Sequence, residues 1–395
     1  MNGSKSVRRN FLAPHIEALP KSGIRAFFDL VNTMDDVVSL GVGEPDFVTP
    51  WTIRESGIYS IEKGHTGYTS NLGMPSLRRA ICDYVSEKYG VNYDPMSQCL
   101  VTVGVSEALD LAIRAITDVG DEIIYSEPCY VSYPAEITMA HGVPVPVTTR
   151  VGDLFALDPA EVARRITPRT KAILLNFPCN PTGAVMPLDK LRQLAELAIK
   201  HDLLVLTDEI YSELVYEGTH HSIAALPGMA ERTIFLHGFS KGFAMTGWRI
   251  GYACGPADLI DAMMKIHQYA IMCAPTAAQE AALEALKTGR KDSDAMREQY
   301  RMRRDFFVKA LNDCRLSCHL PSGAFYAFAD ISASGMDSET FASELLKRQR
   351  VAVVPGTAFG PGGNGFVRCS YATSIEELET AAERIGRFLE QIKSV

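Results

Sequence analysis

Short apolar runs alternate with longer amphipathic stretches from about residue 98 of this 395-residue chain. The runs are rich in Val, Ile and Leu and lie at residues 100–103, 122–125, 143–147, 171–176, 203–207 and 233–236. Amphipathic segments such as 106–117 and 187–201 lie between them. Apolar strands separated by helices predict a mainly parallel sheet with both faces covered. Residues 249–254 follow without a helix and are predicted to join as an antiparallel neighbour.

The pattern changes after about residue 275, where longer helical stretches surround short strands. Helices are predicted at 276–288, 291–312, 338–349 and 375–392, and strands near 324–329, 351–354 and 366–371. The chain is therefore expected to form a large α/β domain and a smaller α+β domain. We assign residues 47–285 to the large domain, and residues 1–46 and 286–395 to the small one.

Composition and charge exclude several classes of protein. Apolar residues make up 47% and charged residues 22%, and the formal net charge of −8 argues against a nucleic-acid binder. No apolar run is long enough to span a membrane. The nine cysteines are scattered and lack a C-x-x-C pair, which indicates reduced thiols rather than disulfides or a zinc site. Arg8 and Arg9 resemble part of an export signal but lack its apolar segment, so we expect a cytoplasmic protein.

Two familiar motifs have simpler interpretations. Residues 360–365 fit G-x-G-x-x-G, but a strand-like segment follows where a dinucleotide site needs a helix, so a mobile loop is predicted. Residues 238–242 fit the G-x-S-x-G elbow of hydrolases. A serine hydrolase, with Ser240 as nucleophile and His267 or His319 as its base, is kept as a remote alternative.

A lysine in small and apolar surroundings follows the last of the parallel runs. Lys241 comes directly after Ser240, and Arg249 follows eight residues later. Burial lowers the pKa of a lysine because it disfavours the charged form, and such a lysine can form a Schiff base. The planar guanidinium of Arg249 suits a phosphate or a carboxylate. This segment is therefore a candidate for catalysis.

Other candidates follow the strands at the sheet edge where ligands bind in open α/β folds. Asp208 closely follows an apolar run, Asn180 lies in a proline-containing loop after another, and Tyr130 offers a ring for stacking on a flat cofactor. The turn at Gly104 leads into a helix whose first N–H groups can hold a phosphate. Arg368 lies in the predicted small domain and offers a second guanidinium.

Together these motifs resemble the class I aminotransferases of fold type I, which use pyridoxal phosphate. The motifs occur in the family's order, at residues 43–47, 68–73, 104, 180–183, 208–211, 240–251, 321–326, 355–356 and 368. The resemblance extends over about residues 12–392, and S-K-x-x-x-x-x-G-W-R-I-G at 240–251 is its most specific motif. It implies a mostly parallel seven-stranded sheet in the large domain.

The resemblance also implies roles around the cofactor ring. Lys241 would bind pyridoxal 5′-phosphate covalently and then move a proton from the substrate Cα, acting as base and acid. Asp208 would pair with the nitrogen of the pyridine ring and keep it protonated. Asn180 and Tyr211 would hydrogen-bond the 3′ oxygen, and Tyr130 would stack on the ring.

The resemblance places the phosphate and the substrate carboxylate at different ends of the site. The phosphate would contact Gly104, Val105, Ser106, Ser240 and Arg249. The carboxylate would contact Gly43, Tyr130, Asn180 and Arg368. In relatives, a tyrosine at the position of Tyr68 reaches the phosphate of the neighbouring subunit, so a homodimer with shared sites is predicted.

The implied activity is transfer of an amino group from an L-amino acid to a 2-oxo acid, with 2-oxoglutarate the expected acceptor. The chain resembles bacterial aspartate, aromatic and N-acyl-diaminopimelate aminotransferases, and serine rather than lysine at position 106 argues against strict aspartate specificity. A C–S β-lyase on the same fold is the alternative. Relatives have cis prolines at the positions of Pro128 and Pro181, and the same is expected here.

Overall fold

The computed structural model describes residues 10–19 and 34–393 of the chain, so Arg8 and Arg9 lie outside the described residues. The strands, in chain order, are β1 (Val38–Ser39), β2 (Cys99–Thr102), β3 (Glu122–Glu127), β4 (Val143–Thr148), β5 (Thr170–Asn176), β6 (Leu204–Asp208), β7 (Thr233–Gly238), β8 (Gly251–Cys254), β9 (Ser317–Cys318), β10 (Tyr326–Asp330), β11 (Val351–Ala352), β12 (Val354–Pro355) and β13 (Phe366–Ser370). The α-helices are α1 (Pro14–Glu17), α2 (Trp51–Glu62), α3 (Pro75–Tyr89), α4 (Gly104–Ile116), α5 (Ser132–Met139), α6 (Pro159–Arg165), α7 (Leu188–Lys200), α8 (Ala257–Ala270), α9 (Thr276–Thr288), α10 (Arg290–Asp313), α11 (Ser338–Gln349) and α12 (Ile375–Lys393).

A seven-stranded sheet forms the centre of the larger part of the molecule, in the order β2-β8-β7-β6-β5-β3-β4. Strand β8 is antiparallel to both of its neighbours, and the other strands share one direction. The predicted α/β fold, its mostly parallel sheet and the antiparallel last strand are therefore confirmed.

Helices cover both faces of this sheet, which explains why most of its strands are largely apolar runs. Strands β3 and β7 are buried along their whole length. Helix α4 packs against α8, β7 and β8 through buried residues spaced three and four apart, as expected for an amphipathic helix. The edge strand β4 is partly exposed and carries Pro144 and Pro146, which an edge position tolerates because proline cannot donate a ladder hydrogen bond.

A second sheet, antiparallel and four-stranded, lies in the C-terminal part in the order β12-β13-β10-β9. Helices α10, α11 and α12 pack together around it. Strand β1 pairs in parallel with β11, which attaches residues 38–39 to this part of the chain. The predicted strands near 324–329, 351–354 and 366–371 are present.

Helices α1, α2 and α3 precede the main sheet and have no counterpart in the sequence prediction. Helix α2 exposes four large apolar side chains, which are Trp51, Ile58, Tyr59 and Ile61. Its apolar residues therefore do not mark a single buried face. Helix α3 ends at Gly90, whose φ of +74° is the left-handed conformation that favours glycine at a helix end. The pattern alone was too irregular to define α2.

All nine cysteines are free thiols, as predicted. Within residues 10–19 and 34–393, no helix combines the length and the apolar character needed to cross a membrane.

Candidate active site

A cavity of about 580 Å³ opens at the carboxyl ends of β3, β5, β6 and β7. This is the edge at which open α/β sheets bind ligands. The sequence-predicted residues that line it are Gly43, Val105, Ser106, Tyr130, Asn180, Asp208, Tyr211, Ser240, Lys241, Arg249 and Arg368. Residues from distant parts of the chain thus converge on one site.

Lys241 follows β7 and extends its side chain into the cavity. Its Nζ donates a hydrogen bond to the carbonyl oxygen of Gly43 at 2.6 Å, and it lies 5.9 Å from the centre of the Tyr211 ring. Burial lowers the pKa of Lys241 to about 8, although nearby Glu44 acts in the opposite direction. About a tenth of this amine is therefore neutral, and nucleophilic, at pH 7.

Asp208 ends β6 and is 5% exposed. Burial raises the pKa of its carboxyl to about 6, and a hydrogen bond from Tyr133 limits the rise. The Tyr133 hydroxyl donates to Oδ2 at 2.8 Å, and the backbone N–H of Ile210 donates to Oδ1 at 3.1 Å. Both carboxylate oxygens are thus oriented by donors, which fixes the direction that the group faces.

The loop after β5 turns Asn180 back toward the cavity. Its Oδ1 accepts a hydrogen bond from Arg368 at 2.8 Å, and its backbone N–H donates to Oδ1 of Asn176. The peptide bonds preceding Pro128 and Pro181 are cis, as predicted, and a third cis bond precedes Pro178.

Arg368, on β13, brings a buried guanidinium from the C-terminal part to this cavity. It is 3% exposed and lies 4.4 Å from the centre of the Tyr326 ring. Its Nη2 donates to the carbonyl oxygen of Gly41 at 2.7 Å, whereas its Nε has no hydrogen-bond partner within the described residues. Among those residues no carboxylate lies within ion-pair distance of Arg368. A buried cation without a counterion is costly, which indicates an anionic ligand.

The other end of the site is built around the start of α4. Gly104 has a φ of +76°, and a Cβ at this position would lie 2.7 Å from Nη2 of Arg249. Gly251 is equally constrained, because a Cβ there would lie 2.7 Å from the backbone nitrogen of Val105. Glycine at both positions lets Arg249 and the helix start lie side by side. Gly104 therefore shapes this end without itself lining the cavity.

Sequence reasoning missed several residues of the site. Tyr133 lies one helical turn beyond Tyr130, at the start of α5, and that spacing was the available signal. The hydroxyls of Tyr211 and Tyr326 are 2.8 Å apart, and burial raises the pKa of both. Tyr326 lies within the 321–326 motif, but no role was predicted for it. Asn176 also lines the cavity.

Tyr68 is the predicted residue that lies farthest from the expected environment of a buried site. It is 83% exposed and does not line the cavity of its own chain. Its predicted role toward a neighbouring subunit stays a prediction.

The structure explains the two motifs at residues 238–242 and 360–365. A strand, β13, follows residues 360–365, so no helix opens there for a dinucleotide. This segment is docked on Glu127, whose Oε1 accepts a hydrogen bond from the N–H of Gly362 at 2.8 Å. His267 hydrogen-bonds Glu107, and His319 packs on the ring of Phe155, so among the described residues neither histidine serves Ser240 as a base.

Comparisons with known proteins agree with this site. The family model for "Aminotransferase class I and II" matches residues 35–385. The Bacillus subtilis protein YugH, named as an aminotransferase, is 54% identical over 380 residues, which are 96% of this chain and 98% of that protein. The aspartate aminotransferase of Pyrococcus abyssi is 40% identical over 97% of this chain and 99% of its own length. The structure of the aromatic aminotransferase of Pyrococcus horikoshii is similar with a TM-score of 0.90 and 42% identity, covering 93% of this chain and all of that one. The chain therefore belongs to the class I and II aminotransferases, a family of pyridoxal-phosphate-dependent enzymes.

Proposed function

We propose that the enzyme transfers the amino group of an L-amino acid to a 2-oxo acid, with 2-oxoglutarate as acceptor and aspartate, an aromatic amino acid or a related one as donor. One observation carries this proposal: a lysine of lowered pKa, a buried carboxyl and a buried unpaired arginine face one cavity. The similarity to aspartate and aromatic aminotransferases supports the choice of donors.

The residues of the cavity fit pyridoxal 5′-phosphate. At one end, the glycine at position 104 leaves room for Arg249 beside the helix start, where N–H groups and the hydroxyls of Ser106 and Ser240 suit a phosphate. Between the ends, the ring of Tyr130 and the side chain of Asn180 are suited to an aromatic ring and its 3′ oxygen. We infer that these residues hold the cofactor as the family resemblance implies.

The protein side chains would divide the chemistry between them. When bound, the cofactor supplies an aldehyde for the substrate amine and a ring that accepts electrons from the Cα–H bond. Asp208 would hold the proton on the ring nitrogen, and Tyr211 would donate a hydrogen bond to the 3′ oxygen. Lys241, with an Nζ that is partly neutral near pH 7, would take the proton from the substrate Cα and deliver it to C4′, the carbon that carries the cofactor's aldehyde. Arg368 orients the substrate by binding its carboxylate with two parallel hydrogen bonds.

The cavity offers little to a second carboxylate on the substrate. Among the described residues that line it, the lysine and arginine side chains are Lys241, Arg249 and Arg368. Each has a role toward the cofactor or the α-carboxylate. Since Ser106 is not a cation, we infer that one chain by itself does not select strictly for dicarboxylic donors.

The proposed function is tested by single half-reactions. Each L-amino acid is mixed with the cofactor-loaded enzyme without an oxo acid, and the cofactor spectrum and free ammonia are followed. Conversion to the pyridoxamine form without ammonia is expected, with aspartate and aromatic donors fastest. Stoichiometric release of ammonia and pyruvate from a cysteine conjugate, without the pyridoxamine form, would identify a β-lyase instead.

We propose a division into a large domain and a small domain that meet at the cavity. The pairing of β1 with β11 supports placing the residues before 47 with the C-terminal part. Helix α9 continues without a break to Thr288. We therefore place the boundary between the large domain and the C-terminal part of the small domain after this helix rather than at residue 285. Lys241 and Arg368 would then lie in different domains, so a bound substrate would draw the two together.

We also propose a homodimer and a cytoplasmic location. Large apolar side chains are exposed on α2, at Tyr68 and at Tyr269, which is 88% exposed. Such side chains are typical of a protein interface. Reduced, unpaired cysteines are typical of a cytoplasmic protein.

Replacing Tyr68 with phenylalanine is expected to weaken cofactor retention with little effect on turnover at saturating cofactor. The change removes one hydrogen bond to a charged group, worth about 1.5–3 kcal/mol, and leaves the ring. Cofactor dissociation is measured by dialysis, with Tyr269→Phe as a matched control because this equally exposed tyrosine has no proposed contact with the phosphate. Sedimentation of the wild-type enzyme at nanomolar concentration checks the premise, and a fully active monomer would exclude a shared site.

A further inference from the structure

We propose that Cys82, Cys99 and Cys254 form a binding site for a soft metal ion, Zn²⁺ or Cu⁺. Their three Sγ atoms lie within 4.8 Å of one another, and all three side chains are buried. The residues are distant in sequence, so only the fold brings them together. None of them lines the catalytic cavity.

Each sulfur is supplied by a different element. Cys99 begins β2 and Cys254 ends β8, and the two are direct partners across this antiparallel pair of strands. Cross-strand partners have Cβ atoms about 4.5–5.5 Å apart, on the same face of the sheet. Helix α3 packs against β2 and brings Cys82 to the same point. The cluster therefore joins an edge strand, its neighbour and the helix that covers them.

The separations between the sulfur atoms are close to those of a metal centre. With metal–sulfur bonds of about 2.3 Å, three sulfurs around one ion lie about 4 Å apart. The observed upper limit of 4.8 Å is less than 1 Å wider, which small rotations about the Cα–Cβ bonds can close. Binding would replace the thiol protons by the cation. The positive charge of the ion would then compensate the negative charge of the buried thiolates.

The surroundings favour a soft ion over a hard one. The cluster contains no carboxylate, and thiolates prefer Cu⁺ and Zn²⁺ to Mg²⁺ or Ca²⁺. The Tyr93 hydroxyl is buried and has no hydrogen-bond partner within the described residues, and Tyr93 belongs to the same buried core cluster as Cys82 and Cys254. A metal-bound thiolate would offer this hydroxyl a charged hydrogen-bond acceptor. Groups around a metal site commonly hydrogen-bond to its ligands in this way.

Metal binding at this cluster would link the start of β2 to β8 and α3. Residue 99 begins the strand that ends just before the turn at Gly104, which we assign to the phosphate. Because β2 is an edge strand of the sheet, it pairs with a single neighbouring strand in the part of the chain that the structure describes. The expected consequence is greater stability of the folded chain rather than a part in the reaction.

The test is a metal titration of the reduced holoenzyme. After chelation of any metal, Cd²⁺ is added without oxygen, and the ultraviolet charge-transfer band of its bonds to thiolates is recorded. We expect one Cd²⁺ per chain, three sulfur neighbours by X-ray absorption, and a rise in the midpoint of thermal unfolding. Competition with Zn²⁺ and with Cu⁺ then shows which ion binds more tightly.

Variants identify the ligands. Cys82→Ala, Cys99→Ser and Cys254→Ser should each weaken Cd²⁺ binding at least about a hundredfold, and Tyr93→Phe about tenfold. Cys318→Ser is the matched control, because this thiol is 7% exposed, against 5% for Cys82, but lies on β9. It should leave the titration unchanged.

Two results would overturn the proposal. If the reduced wild-type enzyme takes up no Cd²⁺, the three thiols are packing residues of the core. This conclusion would hold even if Cys99 and Cys254 form a disulfide on oxidation. An equal loss of binding in Cys318→Ser would place the metal elsewhere. The wild-type titration decides the first point even where a variant fails to fold.

Discussion

Replacing Lys241 with alanine is expected to abolish transamination, with a loss of at least about 10⁴-fold in turnover. It is the one lysine among the described residues that line the cavity, and burial lowers its pKa to about 8. The variant loses both the nucleophile for the cofactor and the group that moves the proton. Turnover is measured directly, and the covalent adduct is trapped with borohydride and located by peptide mass spectrometry.

Lys88 provides a control for the effect of a lowered lysine pKa. Burial lowers the pKa of Lys88 to about 7, yet this lysine pairs with Glu213 and does not line the cavity. Lys88→Met should therefore keep the trapped adduct at Lys241 and most of the turnover. An adduct that persists in Lys241→Ala, on Lys88 or any other lysine, would show that the assignment of Lys241 is wrong.

The pH dependence of cofactor attachment gives a second measurement on Lys241. Only the neutral amine attacks an aldehyde, so the rate at which apoenzyme captures the cofactor should rise about tenfold per pH unit below the pKa. The rise should level off near pH 8, the pKa to which burial lowers this lysine. For an exposed lysine, the rate of cofactor capture would continue to rise up to about pH 10.

Much of the large sheet and most of the site could be predicted from the sequence because both depend on local patterns. Apolar runs identify the buried parallel strands, and the carboxyl ends of such strands lie at one edge. Asp208 is the last residue of a strand, and Asn180 and Lys241 each follow a strand within a few residues. Knowing the strands therefore places these side chains together without knowledge of the rest of the fold.

Residues whose role depends on distant packing could not be predicted. His220 lies in a polar stretch that indicates a surface turn, but its side chain is 7% exposed and its Nε2 lies 2.6 Å from Oε2 of Glu209. The surface interpretation is wrong for this residue because a buried carboxylate from the segment after β6 supplies its partner. Cys82, Cys99 and Cys254 are a similar case, since strand register and helix packing unite them.

Replacing Asp208 with asparagine is expected to reduce turnover by about 10²–10³-fold, because the uncharged amide cannot hold the ring nitrogen protonated. Asp208→Ala should lose at least as much, whereas Asp208→Glu should keep part of the activity. Tyr133→Phe is the companion variant. The Tyr133 hydrogen bond lowers the pKa of Asp208, so its loss should raise that pKa and shift the acidic limb of the pH–rate profile to higher pH.

The same carboxyl should destabilise the apoenzyme. Burial raises the pKa of Asp208 to about 6, above its ordinary value of 3.8, so the folded state binds a proton more tightly than the unfolded state. The free energy of unfolding therefore falls as the pH rises from about 4 to 6. A difference of about two pKa units between the folded and unfolded states lowers it by roughly 3 kcal/mol at higher pH. Asparagine carries no charge and can keep both hydrogen bonds, with Oδ1 accepting from Ile210 and the amide donating to Tyr133.

Asp208→Asn apoenzyme should therefore be about 1–3 kcal/mol more stable than wild type at pH 8, with a smaller difference at pH 4. Denaturant unfolding of both apoenzymes at the two pH values measures this difference. Added cofactor should stabilise the wild type more than the variant, because the protonated ring nitrogen gives the buried carboxylate its missing positive partner. If Asp208→Asn is instead less stable than wild type at pH 8 and retains near-normal turnover with cofactor bound, the carboxylate serves to hold the fold. A variant that is more stable but inactive would show that the enzyme keeps an unfavourably buried charge for the sake of the reaction.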